Sequence, residues 1–322
     1  MMFAKLGHLT AYRSKSVLLL SLLFIILAGG IGFQAFGKLD GGGYNDPKSE
    51  SSRAFEYLKK DFNVKDPAVI LVIDSSTNVY DPKVNIAVEA ITKKISANPQ
   101  VTNVISYWST KSPQLVSDDK KAGYFFAYGN DDTFDGLSRI AKKIEAQIGS
   151  QYEGLNIYYT GTGAVGDAIN TKIGDDLKKS ESLAIPLTFI LLLFVFGGVI
   201  ASAMPLVVGI SAIFGAFFII YLLTLFTNVS IYAMNLITGL GLGLGIDYSL
   251  LIVNRFREEF HQGKEIRAAV ARTVETAGRT VFFSGLTVLV TLASLLLFPL
   301  NFLKSFGYAG IAVVAQIGRA HV

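Results

Sequence analysis

NLITGLGLGLGIDYSLLIVNRFREE, residues 235–259, is the stretch on which the reading of this chain turns. Asp247 is the one formally charged side chain between Glu181 and Arg255, and it follows glycines at 239, 241, 243 and 245. An acid at the centre of a membrane helix costs roughly 3 kcal/mol or more, so its presence is a functional expectation by default. Here that expectation is a proton-binding site. The bland alternative places Asp247 close enough to the inner interface to snorkel or to pair with Arg255 two turns further on.

The glycines form two interleaved small-xxx-small pairs, Gly239/Gly243 and Gly241/Gly245, which admit a neighbouring helix closely. Close packing is expected to shield Asp247, while glycine weakens the helix by roughly 1 kcal/mol per residue relative to alanine and lets it bend or slide. Tyr248 supplies a hydroxyl for a partner group. Adjacent helical residues point in different directions, so Asp247 and Tyr248 are expected to serve a neighbouring helix together rather than bond each other.

Outward from this stretch, residues 182–246 carry no Asp, Glu, Lys or Arg over 65 positions, enough for about three spans. Turn-like GGVIASAMP (197–205) and TNVS (227–230) divide them into spans near 183–200, 204–225 and 231–253. Residues 255–279, with six Lys/Arg against four acids, form a cytoplasmic loop. In it Ile266, Ala269, Val270, Val274 and Ala277 recur at helical spacing, the mark of an amphipathic helix lying on the inner face. Membrane electrostatics accounts for these bases without a specific lipid site. A fifth span follows at 280–303, and a sixth from 305 has 14 uncharged residues before Arg319, too few to cross. The closing IGRAHV, 317–322, matches one reading frame of a sequencing-adapter oligonucleotide and is expected to be a non-native tail, with the true protein continuing.

At the other end, residues 1–15 hold Lys5, Arg13 and Lys15 and no acid, a cytoplasmic N-terminus by the positive-inside rule. Residues 16–37 are the first transmembrane helix. A cleaved signal peptide is the rival, but the apolar run continues past Gly30 and more spans follow. Residues 38–181 change character, with 18 Lys/Arg against 20 Asp/Glu, and form an extracytoplasmic domain. Strands at 68–74, 101–109, 123–128 and 155–160 and helices at 82–97 and 133–148 give βαββαβ, the ferredoxin-like order, with a further helix at 49–62. The aromatics Tyr124, Phe125, Phe126, Tyr158 and Tyr159 are expected in its core.

GTGAVG, with Gly161, Gly163 and Gly166, fits a dinucleotide fingerprint after a strand. The helix that follows runs into a membrane span and leaves no second parallel strand to complete such a site, so a strand-to-helix turn is the reading. The chain has no cysteine and three scattered histidines, hence no disulfide, metal site or cofactor. Asp118/Asp119 and Asp131/Asp132 read as solvated turn residues and no nucleophile constellation is present, so no enzyme is expected. Its bases are dispersed, which argues against nucleic acid. With 51% hydrophobic residues and a mean hydropathy of +0.45, the fold class is an α-helical polytopic membrane protein with an extracytoplasmic α+β domain and about six transmembrane helices.

GLGLGIDYSLLIVNRFREE resembles the signature of the fourth transmembrane helix of MMPL-type transporters in the resistance-nodulation-division superfamily. The resemblance extends over the whole chain: one span, an external αβ domain, then further spans. It implies that Asp247 and Tyr248 form a proton-relay pair, with Gly241, Gly243 and Gly245 in the glycine run. It also implies export of lipid-like or hydrophobic molecules across the cytoplasmic membrane, driven by the proton gradient. That family normally repeats the whole unit, so the expected partners are membrane lipids, a hydrophobic substrate, and a missing second half or a second copy of the chain. The competing expectation is a membrane sensor or assembly component that uses the same fold without transport.

Overall fold

The computed structural model describes residues 2–75 and 77–321, together with every side chain in that range except that of residue 321. Met1, Ser76 and Val322, the last of the expected non-native tail, lie outside the described residues. Its elements run α1 (Met2–Tyr12), α2 (Ser14–Gly32), α3 (Glu50–Phe62), β1 (Val69–Ser75), α4 (Pro82–Ser96), β2 (Val101–Ser106), α5 (Tyr107–Thr110), β3 (Ala122–Gly129) and α6 (Phe134–Ile148). They continue with β4 (Gln151–Tyr152), β5 (Leu155–Thr160), α7 (Thr162–Phe196), α8 (Val199–Leu223), α9 (Tyr232–His261), α10 (Ile266–Thr273), α11 (Arg279–Ala293) and α12 (Asn301–His321). Two compact units result, Pro47–Gly174 and Met1–Asp46 with Asp175–Val322.

In the unit Pro47–Gly174 the sheet order is β2-β3-β1-β5-β4, every neighbouring pair antiparallel. This is the expected ferredoxin-like arrangement with a short β4 added at one edge. Alternation sets the faces: Val69, Leu71 and Ile73 are buried while Ile70, Val72 and Asp74 are only partly covered. Val88, Ile91 and Ile95 of α4 and Leu137, Ile140 and Ile144 of α6 close over the buried face. Ser106 ends β2 three residues earlier than its apolar run suggests, because its side chain caps Ser109 and starts the turn α5.

The same alternation corrects the expectation for the aromatics. Phe125 is fully buried, and Tyr159 packs on the core and donates its hydroxyl to the Gly149 carbonyl at 2.6 Å. Tyr124 and Tyr158, however, flank Val72 on the open face and are 43% and 59% exposed. Phe125→Ala should cost about 3–5 kcal/mol. The chain's one tryptophan, Trp108, packs against this core, so its fluorescence during unfolding of the whole chain measures that loss; an unshifted transition would contradict it.

The GTGAVG glycines are accounted for by packing. Gly161 adopts φ +91°, a conformation that L side chains rarely hold. A Cβ on Gly163 would strike the carbonyls of Ala68 and Leu137, and one on Gly166 the Ser138 hydroxyl and Phe134 ring. The glycines bring the start of α7 against the sheet and α6.

Among the described residues five helical stretches are long and apolar enough to cross a membrane: Ser14–Gly37, Thr162–Phe196, which begins in the unit Pro47–Gly174, Val199–Leu223, Ala233–His261 and Ile266–Leu297. The first turn after α7 is confined to Gly197 and Gly198, Gly197 at φ +67°, and Pro205 lies inside α8 rather than breaking it. The sixth stretch is a full helix, α12, whose Ala309, Ala312, Val313 and Ile317 are buried in one core with α8 and α9. At one end of the other unit Asp40 bonds across to Val229 and Ile231, and Ser305 accepts from the Ser230 amide at 2.9 Å.

At the opposite end the structure departs from the expected surface loop. Residues 255–261 prolong α9, and α10 passes through a π-turn, Val274–Gly278, straight into α11. The apolar side of α10 and its π-turn is partly covered by protein: Ala269, Val274 and Ala277 are buried while Ile266 stays exposed. Gly7 of α1 abuts the Ala271 backbone so closely that a Cβ would clash, Arg267 lies 5.4 Å over the Tyr12 ring, and Ala269 is buried.

Candidate functional site

The two glycine pairs of α9 do different things. Gly241 and Gly245 are buried: a Cβ at Gly241 would lie 2.5 Å from Ile213 of α8, and one at Gly245 would lie 2.8 Å from the Gly209 Cα. On this face α8 and α9 meet backbone to backbone. Gly239 and Gly243 have open space where a Cβ would stand. They belong to an exposed stripe recurring every fourth residue, Asn235, Gly239, Gly243, Asp247 and Leu251, one side of a helix.

Asp247 is therefore on the uncovered side of α9, not the packed one. The expected shielding fails within this chain because only Gly241 and Gly245 meet α8 and α12. The alternative pairing with Arg255 is also absent. Arg255 instead pairs with Glu258 at 2.9 Å, ion-pairs Glu259, and donates to Thr276 at 3.3 Å. Tyr248 turns toward α11, sharing a 3.0 Å hydrogen bond with the Ser284 hydroxyl. Tyr248 thus faces α11 while Asp247 is exposed on another side of α9, so within this chain the two are not brought to one neighbouring helix.

A charged cluster at the end of α9 was less legible. Glu259 is 1% exposed and ion-paired with both Arg255 and Lys264, which ties the last turn of α9 to the segment entering α10. The available signal was an acid four residues after a base, one turn along the same face. Glu259→Gln keeps the shape but leaves two cations without their shared anion. It should lower the unfolding temperature in detergent and speed tryptic cleavage after Lys264; an unchanged digest and transition would count against this junction.

The acidic pairs of the other unit are turn residues. Asp119 accepts from the Ser117 hydroxyl at 2.6 Å and the Lys121 amide, and Asp131 from the Thr133 hydroxyl at 2.6 Å and the Thr133 amide. Those hydroxyl bonds, first among the causes, hold both carboxyls below the ordinary aspartate range. Asp132 pairs with Lys59 at 3.1 Å.

Comparison with known proteins bears on the α9 stripe. A sequence profile of the MMPL family matches residues 43–317. A membrane protein of Streptomyces coelicolor is 36% identical over 320 residues, 97% of this chain and 44% of its own length. The trehalose monomycolate exporter MmpL3 of Mycolicibacterium smegmatis is 44% identical over 186 residues, 58% of this chain and 18% of that protein. MmpL3 of Mycobacterium tuberculosis is 33% identical over 320 residues, 97% of this chain and 34% of that one. The chain thus spans less than half the length of these relatives. With the profile running over residues 43–317, which include the whole of α9, this polytopic chain belongs to the MMPL family.

Proposed function

We propose that this chain supplies one half of a proton-driven exporter of lipid-like molecules in the cytoplasmic membrane of a bacterium, with Asp247 as the proton-binding group. The observation that carries the reading is the exposed stripe. A carboxylate at membrane depth is costly, and here it shares a helix face with two glycines that leave room for another helix to approach. In the complete protein a second half, or a second copy of this chain, covers that face. Protonation makes Asp247 neutral and compatible with an apolar contact. Loss of the proton restores a charge that this contact must open to hydrate.

Tyr248 anchors α9 to Ser284 on α11, so a shift of α9 is passed to the neighbouring helix. Residues 1–15 and the α9–α11 junction face the cytoplasm on the strength of their bases, and the unit Pro47–Gly174 passes substrate outward. The relatives named as trehalose monomycolate exporters favour an amphiphilic lipid as cargo.

The test is reconstitution of the complete protein in vesicles with a glycolipid cargo and an imposed pH gradient. Export should stop when a protonophore collapses the gradient. Export that continues at the same rate without the gradient would end this reading.

A further inference from the structure

The end of the membrane unit that carries α10 holds a cavity of about 760 Å³. It is formed where the start of α8, the last turns of α9, and α10 with its π-turn come together. Ile200, Met204, Val253, Phe256 and Val270 line it, and Ile200 and Met204 are 80% and 55% exposed at its open side. Apolar cavities do not hold water well. In a bilayer the filler at hand is an acyl chain.

One lining group is charged. Arg257 donates from Nη2 to the Phe196 carbonyl at 2.8 Å, and its guanidinium stands 5.0 Å over the Phe196 ring. It is thereby fixed beside the Gly197–Gly198 turn, with several further N–H donors uncommitted by that bond. Among the described residues no acid pairs with it. The neighbouring Glu258, Glu259 and Glu275 are each taken by Arg255, Lys264 or Arg272, and Glu265 does not line the cavity. The segment as a whole keeps six bases against four acids over 255–279. An apolar cavity opening sideways, with a rigid unpaired guanidinium at its edge in a basic surround, complements an amphiphile with an anionic head. A guanidinium grips phosphate in two-pronged fashion, and basic pockets between membrane helices on the cytoplasmic side suit anionic head groups.

We infer that this cavity is a binding site for an anionic phospholipid of the adjacent leaflet, its acyl chain against Phe256 and Val270 and its phosphate on Arg257. The inference goes beyond the export reading and does not depend on it. The lipid fills the space between α8 and α10 and stabilises the junction at which α9 passes into α11.

The experiment is native mass spectrometry of the full chain extracted from vesicles containing equal parts phosphatidylcholine and phosphatidylglycerol. Retained phosphatidylglycerol should exceed phosphatidylcholine by roughly fivefold, the factor that one basic residue near an anionic surface supplies. Arg257→Gln should bring the ratio to parity, and Ala201→Phe, which fills the cavity wall and leaves the guanidinium in place, should reduce retention of both lipids. Equal retention by the unaltered chain, or an unchanged ratio in a folded Arg257→Gln variant, overturns the site. If Arg257→Gln does not fold, Ala201→Phe decides, and undiminished phosphatidylglycerol on that variant overturns the site.

Discussion

Asp247→Asn in the complete transporter is expected to reduce gradient-driven lipid export to the level of protein-free vesicles, with protein yield and unfolding temperature unchanged. The separation of the two effects follows from where the carboxylate lies. Asp247 is exposed on its face of α9, and Arg255 is engaged with Glu258, Glu259 and Thr276. Among the described residues of this chain, asparagine therefore breaks no ion pair and opens no void. What it removes is the ability to differ between two protonation states. A gradient can do work on the protein only through a group whose proton affinity differs between conformations, and each pH unit of gradient is worth about 1.4 kcal/mol per proton. Asparagine is fixed in the neutral condition, so that coupling vanishes. Tyr248→Phe should be milder, since it deletes one hydroxyl bond to Ser284, a loss of roughly 0.5–1.5 kcal/mol. Export by Asp247→Asn at the unaltered rate would exclude Asp247 as the coupling group.

The sequence made the order of elements readable wherever one period dominated. The unbroken apolar run of residues 68–74 led directly to β1 as a buried strand, and the spacing of Leu137, Ile140, Ile144 and Ile148 to α6 as a helix with one buried face. Reading failed where two features competed within a few residues. Ser106 could prolong a strand or cap a turn, and its reciprocal bonds with Ser109 settle the matter only in three dimensions. Tyr124 and Phe125 have similar chemistry, and the register decides which of them is buried. At residues 266–277 the spacing marks an apolar side, yet nothing local said that α1 would cover part of it. For the candidate site, Asp247 and the glycines could be picked out from charge and spacing alone. Which glycine pair packs could not, because both have identical composition, and the choice belongs to Gly209 and Ile213 on a different helix.

That division of the glycines carries the second large effect. Gly245→Ala should destabilise the membrane unit by about 1–3 kcal/mol, even though alanine improves helix propensity by roughly 1 kcal/mol. The new methyl would lie 2.8 Å from the Gly209 Cα and 3.3 Å from its nitrogen. Both are backbone atoms, so no rotamer change relieves the overlap and the two helices must move apart. Gly241→Ala meets Ile213 Cγ1 at 2.5 Å and Val313 Cγ2 at 3.3 Å, side-chain atoms of stiff β-branched residues, and should be destabilising as well. Gly243→Ala meets nothing within 4 Å and should hold or raise the unfolding temperature of this chain. Thermal unfolding followed by helical circular dichroism in detergent ranks the three variants. A Gly245→Ala transition at or above that of Gly243→Ala would contradict the backbone contact. The same substitutions then separate folding from function in the complete transporter. A bulky residue at 243, such as leucine, leaves the α8–α9 contact intact but occupies the face on which Asp247 stands. Gly243→Leu should therefore accumulate normally and yet export poorly, because a second helix can no longer come close to the carboxylate. Full export by Gly243→Leu would mean that no helix needs to approach this face for transport, and the stripe would lose its role.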